Sequence, residues 1–266
     1  IEHNTSSFLI ACGDDYEYAK YLTEEHLGYS ILEVVKKDPK NKKELFHTYK
    51  YLGDGYRDNY YNILKASEKI IPSNADYAMA LKNQEKATAI IPAAINCSKF
   101  QLQLNENIDC IHVFMGINRG NYWKKGINYF EEALEIIQKK YGNKVQVTIA
   151  ESLPYQEYIT SYKSAHILLD QVLCYDQGYN ALEAMAQAKA VFSGGSEFYL
   201  KAHHLDAIPV IDAQPDVTYL VDQLSLLIEQ PEKILQIGRT SRKHVLEHHD
   251  SIKIAKAYEQ DYLKSF

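Results

Sequence analysis

The chain has 266 residues, 46% hydrophobic and 24% charged, with a net charge of −6. This composition suits one large or two small globular domains, and the acidic balance argues against a broad nucleic-acid surface. No apolar run approaches the roughly 20 residues a membrane-spanning helix needs, and the first residues show no basic-then-apolar signal pattern.

Residues 1–92 read as an irregular α/β segment, with strands at 8–12, 31–35, 68–71 and 88–91 and helices around 15–27, 59–67 and 74–84. Around Pro39, the cluster Lys36, Lys37, Lys40, Lys42 and Lys43 is either a solvated loop or a peripheral contact for anionic lipid or a phosphorylated acceptor. Residues 93–107 have no period and read as a linker that closes a first domain of residues 1–107. That is short for a doubly wound domain, and the chain opens on Ile1, so we expect its N-terminal part to be missing.

From 108 to 250 we expect a second domain. Short, nearly continuous apolar runs at 108–116, 145–150, 166–170, 190–194 and 208–212 have the look of parallel strands buried on both faces. Between the first two, Ile127, Phe130, Leu134 and Ile137 repeat at helical spacing, which predicts a sheet-covering helix. A helical stretch at 216–229 precedes Pro231, which suits a helix start, and 251–264 reads as a last helix that packs back on the first domain. The scattered Cys12, Cys97, Cys110 and Cys174 lack zinc-like spacing, which points to free thiols and a cytoplasmic location.

Three loops at expected strand ends could carry chemistry. In 117–126, Arg119 and Lys125 stand beside a helix start whose unpaired N–H groups favour a diphosphate; a plain surface loop is the alternative. Asp170 ends an apolar strand, and Glu183 is expected in the first turn of the next helix, where a carboxylate either accepts from a ribose diol or favours the helix dipole. Gly194 and Gly195 either bring backbone close to a ligand or form a tight turn. The pairs His203, His204 and His248, His249 are adjacent in sequence and diverge on a helix, so no metal is expected, and no cofactor beyond a donor substrate.

Several ordered pieces together resemble a bacterial GT-B glycosyltransferase of the retaining, nucleotide-sugar-dependent group (group 1 type). They are Ile-Ile-Pro-Ser-Asn at 70–74, Gly116 to Arg119 with Lys125 and Gly126, Ala-His-Ile-Leu-Leu-Asp-Gln at 165–171, Ala-Leu-Glu-Ala-Met-Ala at 181–186, Ser-Gly-Gly-Ser-Glu at 193–197, and Ser241 to Val245 with His249 and Asp250. The resemblance implies two Rossmann-type domains with parallel sheets and transfer of a hexosyl group from a UDP- or GDP-sugar to a hydroxyl of a carbohydrate or glycolipid. Surface polysaccharide or glycoconjugate synthesis is the setting it implies, while peripheral contact at the inner membrane face is what the lysine cluster around Pro39 would allow. By the same resemblance, Arg119 and Lys125 neutralise the diphosphate, Glu183 holds the ribose, Gly178, Tyr179 and Asn180 present backbone amides, and the base stacks near loop 151–154. Tyr175, beside Asp176, occupies the position where that family grips the donor sugar with a glutamate. Asp14 is the candidate for a catalytic polar residue on the first domain, with a helix cap as its alternative. An epimerase of the same fold and a noncatalytic nucleotide-sugar-binding subunit are the other readings of the whole.

Overall fold

The computed structural model describes residues 6–25, 28–102 and 108–260. The ends of the expected helices 15–27 and 251–264, and of the expected linker 93–107 with its boundary at 107, lie outside them.

The described strands form two parallel sheets. In the first, β1 (Phe8–Ala11) pairs with β2 (Lys69–Pro72) in the register Phe8 to Lys69. Three helices of this part follow from local signals: α1 (Tyr16–Glu24) is capped by Asp15, α4 (Asp54–Ala66) carries Tyr60 and Leu64 inward, and α5 (Ala75–Ala80) is capped by Asn74. Between α1 and α4, where a strand was expected at 31–35, the chain forms the short helix α2 (Glu33–Lys37). The turn that leads into it is closed like a capping box: the Ser30 Oγ accepts from the Leu32 N–H and the Glu33 carboxylate accepts from the Ser30 N–H. A short helix α3 (Phe46–Tyr49) follows. The expected strand at 88–91 is also absent; Thr88 and Ile91 donate singly to the carbonyls of Ile70 and Pro72, beside an isolated bridge between Ile70 and Ala87.

The second sheet has the order β4-β3-β5-β6-β7, all parallel. Its strands are β3 (Ile111–Ile117), β4 (Val145–Glu151), β5 (Ile167–Leu169), β6 (Ala190–Ser193) and β7 (Ile211–Asp212). The connecting helices are α6 (Tyr122–Lys125), α7 (Ile127–Tyr141), α8 (Tyr155–Ser161), α9 (Tyr179–Ala186), α10 (Glu197–His203), α11 (Val217–Glu229) and α12 (Pro231–His248). Burial of Ile127, Phe130, Ala133, Leu134 and Ile137 aligns α7 with the sheet, and Gly126 between α6 and α7 takes a left-handed φ of 68° where Val172 and Leu173 leave no room for a side chain.

One buried cluster joins Tyr18, Leu22, Ile31, Leu32 and Leu45 of the N-terminal part to Ile111, Met115 and Leu169 of the second sheet and Phe130 of α7. The last described helix, α13 (Ser251–Tyr258), sets Ile254 against Ile71 and Ile91, while Ile95 pairs with Asp250. Residues 93–100 therefore pack within the structure, with Ile95 and Cys97 buried. No helix of the described residues is long and apolar enough to cross a membrane.

Gly238 of α12 lies against the Ala188 carbonyl, where an added Cβ would collide with backbone. Gly238→Ala gains about 1 kcal/mol of helix propensity and loses more to overpacking, about 1–3 kcal/mol, so we expect a net loss of stability in urea unfolding. A more stable variant would contradict the packing of α12 on this turn.

Candidate functional site

The chain order reverses between β3 and β5, since β4 lies on one side of β3 and β5, β6 and β7 on the other. In an open parallel sheet the helices on either side of such a point diverge and leave a crevice beyond the carboxyl ends of the two strands. A cleft of about 460 Å³ lies there, with Gly116 and Asn118 from the end of β3, Ser152 and Leu153 after β4, and Lys125, Tyr179, Asn180 and Glu183 around it. Its volume is in the range of small-molecule sites.

The floor is organised by Asp170, which follows β5 and is 1% exposed. Its Oδ1 accepts from Lys125 Nζ at 2.7 Å and from Asn180 Nδ2 at 3.0 Å, and its Oδ2 from Ser193 Oγ at 3.2 Å. These bonds satisfy a carboxylate that burial would otherwise penalise heavily. Lys125 keeps further N–H donors toward the cleft, because an ammonium has three. Helix α9 begins at Tyr179 after Gly178, which gives it no side-chain cap, so the N–H groups of its first turn lack helical partners, and Tyr179 and Asn180 from that turn line the cleft. Fixed dipoles and an ammonium thus converge where an anion would sit.

Glu183 lies in the second turn of α9, not the first as expected, because the helix already starts at Tyr179. Its carboxyl accepts from Tyr155 OH at 3.1 Å. Burial pushes its pKa up, against the Tyr155 hydrogen bond and the charge of Lys99. An acceptor carboxylate in the same cleft as Lys125 suits a diol. Tyr155 and Tyr158 come from α8, which sequence reading missed although Pro154 and Glu157 mark a helix start.

Arg119 takes a different position from the one expected. Its guanidinium grips Glu151 through two bonds of 2.7 Å and stands over the Tyr122 ring, so it holds the loop after β4 and does not line the cleft. The glycines after β6 also depart from the ligand reading. A Cβ on Gly194 would lie 2.5 Å from the Asp176 nitrogen, and one on Gly195 would meet Ile208 and Val210. Protein atoms fill the space these glycines leave, while Gly195 N–H donates to Asp212. Asp14 is neither cap nor open base: Asp15 caps α1, and Asp14 accepts from Thr48 Oγ1 and Lys124 Nζ, both at 2.5 Å. Lys124 was not anticipated by sequence. It lines a second cavity of about 180 Å³ with Asn74, Tyr77, Asn121, Gln171 and Gly178, and Lys125 borders both spaces.

Asp176 is committed to the contact between the two sheets' surroundings. It is 2% exposed and accepts from the N–H groups of Ala75 and Gln177 and from His203 Nε2. Burial raises its pKa, but His203 and these N–H groups hold the net value below the ordinary carboxylate range. Asp76 makes the reciprocal contact, accepting from the Tyr175 N–H at 3.2 Å; burial, then the nearby Asp176 charge, push it up to about 7. Tyr175 stacks on Tyr29, with ring centroids 4.7 Å apart, and donates its hydroxyl to the Tyr29 carbonyl. The side chains of Tyr175 and Asp176 are therefore used within the protein. Among the described residues no group of three or more His, Cys, Asp or Glu is placed to hold a metal ion.

No family model and no curated protein sequence matches the chain. Solved structures do. Sucrose-phosphate synthase from Thermosynechococcus elongatus aligns with 100% of this chain and 69% of its own, at 18% identity and a TM-score of 0.61. Anabaena HepE, in complex with UDP, aligns with 76% of this chain and 65% of its own, at 13% identity and a TM-score of 0.56. A glycosyltransferase from Rickettsia africae aligns with 78% of this chain and 67% of its own, at 15% identity and a TM-score of 0.53. TarM matches with a TM-score of 0.54 at 13% identity, and the chain spans only 43% of its length. These likenesses show the fold, a GT-B arrangement of α/β type with parallel sheets.

The raised pKa of Asp76 sets the sign of a pH effect. Between about pH 4, where the unfolded carboxyl ionises, and about pH 7 the folded protein holds the extra proton, so this group's contribution to stability falls as pH rises. Asp76→Asn keeps an oxygen for the Tyr175 N–H without the charge. Relative to the parent, the variant should gain stability in urea unfolding from pH 5 to pH 8; a difference independent of pH would contradict the account.

Proposed function

We propose that the protein is a glycosyltransferase that moves a hexosyl group from a nucleoside-diphosphate sugar to an acceptor hydroxyl, with retention of anomeric configuration. The observation that carries this reading is the convergence of Lys125, the uncapped start of α9 and Glu183 on one cleft at the strand-order reversal. HepE, which shares the fold, has been solved with UDP and with UDP-glucose, which supports a UDP-sugar donor; GDP-sugars stay within the same chemistry.

In this reading the nucleoside lies against Ser152, Leu153 and Tyr155, with the ribose diol on Glu183. The diphosphate faces Lys125 and the amides of Tyr179 and Asn180, with Gly178 at the turn. Arg119 acts indirectly, by holding Glu151 and hence the loop beside the base. The sugar occupies the adjoining cavity, where Asn74, Asn121, Gln171 and Lys124 supply polar groups in place of a glutamate. Asp14 positions Lys124. The hard step is departure of the diphosphate as an oxocarbenium-like centre forms, and cations and amide dipoles fixed at the leaving oxygens stabilise that charge most. The C1–O bond to the diphosphate breaks, the acceptor oxygen bonds to C1 on the same face, and the acceptor proton passes to the leaving phosphate. The acceptor is a carbohydrate or glycolipid in surface-polysaccharide or glycoconjugate synthesis, reached from the cytoplasmic side, with the exposed lysines around Pro39 as a peripheral membrane contact.

Two measurements test this. Glu183→Gln should lower nucleotide affinity by roughly tenfold, with little change in melting temperature, because its proposed partner is a ligand; unchanged affinity by calorimetry removes Glu183 from the site. Lys125 is better tested together with Asp170, since losing the lysine alone would leave a buried carboxylate without its counter-charge. The double variant Lys125→Gln, Asp170→Asn should lose roughly tenfold or more in affinity for UDP or GDP and little for the nucleoside. Equal loss for both would contradict a role at the diphosphate. Labelled donors then separate transfer from epimerisation or binding alone.

A further inference from the structure

Tyr158 of α8 is held by packing on several sides. Its ring covers Gly116, where a Cβ would collide with it, and meets Phe114 and Tyr162 edge-on at centroid distances of 5.3 and 5.4 Å. The hydroxyl of this fixed ring donates to Asn180 Oδ1 at 2.5 Å. Burial keeps the phenol well above its ordinary pKa, so it remains a donor. With its Oδ1 on this donor, an orientation that the acceptor-only carboxylate beyond it also favours, the Asn180 amide turns its NH2 group the other way. There it meets Asp170 Oδ1, the oxygen that also receives Lys125 Nζ.

We infer that Tyr158 is a positioning residue that controls, through Asn180 and Asp170, how Lys125 presents its charge to a phosphate in the cleft. While the amide shares Asp170 Oδ1, part of that oxygen's hydrogen-bonding capacity is taken and Lys125 is left with donors for a ligand. Without the Tyr158 hydroxyl the amide loses its second anchor and its bond to Asp170 Oδ1 loosens; the carboxylate, with less of its capacity taken, then draws Lys125 in more strongly. The inference rests on the proposed diphosphate site and adds a residue that lies one step behind it.

The test uses UDP and GDP, each against its nucleoside, by calorimetry on the whole chain. Tyr158→Phe keeps the ring and removes only the hydroxyl. We expect roughly five- to tenfold weaker binding of the diphosphate, with nucleoside affinity within about twofold of the parent, which also serves as the check on folding. In an Asn180→Ala background, Tyr158→Phe should add nothing further, since the link it acts through is gone. Equal weakening of nucleoside and diphosphate, an unchanged diphosphate affinity, or additive effects in the double variant would overturn the inference while leaving the diphosphate site in place. If the parent chain binds neither UDP nor GDP, the site reading fails and the inference with it.

Discussion

The buried carboxylate of Asp170 is the constraint on which the site depends. An ionised carboxylate with almost no exposure is costly unless its lone pairs are occupied, and the chain supplies donors from three places: Lys125 at the end of α6, Asn180 in the first turn of α9, and Ser193 at the end of β6. Meeting one electrostatic demand draws these elements to one point. The same bonds leave an ammonium and the start of α9 side by side at the mouth of the cleft.

The N-terminal part is joined to this point by a second set of carboxylates. Asp176 accepts from the Ala75 N–H and Asp76 from the Tyr175 N–H, so each side of the contact caps backbone on the other. Gly194 lets the Tyr175 and Asp176 backbone lie close against the end of β6. The loop before α9 is thereby held from both sides, and with it the direction of the helix start. Groups that sequence alone would place against a sugar instead hold the frame around the start of α9.

Much of the second sheet was legible because strands buried on both faces leave continuous apolar runs, and the stripe of Ile127, Phe130, Leu134 and Ile137 has one physical explanation. The start of α12 at Pro231 was legible for a similar reason. The N-terminal part was harder: 31–35 is as apolar as a strand, and the bonds of Ser30 with Leu32 and Glu33 favour a helical turn there. Spacing located Lys125, Asp170, Asn180 and Glu183 near strand ends, since loop position is readable from the order of elements. It could not reveal the partners of Arg119, Asp14 or Asp176, because ion pairing depends on which charged groups the fold brings near, here Glu151, Lys124 and His203. Gly194 and Gly195 illustrate the same limit, since a glycine signals that something approaches closely and not what approaches.

A crystal structure of the protein with UDP or GDP tests the central claim most directly. The account predicts diphosphate oxygens at hydrogen-bond distance, about 3 Å, from Lys125 Nζ and from N–H groups at the start of α9, with the ribose on Glu183. A nucleotide bound away from the reversal between β3 and β5, or one whose phosphates turn away from Lys125, would contradict it.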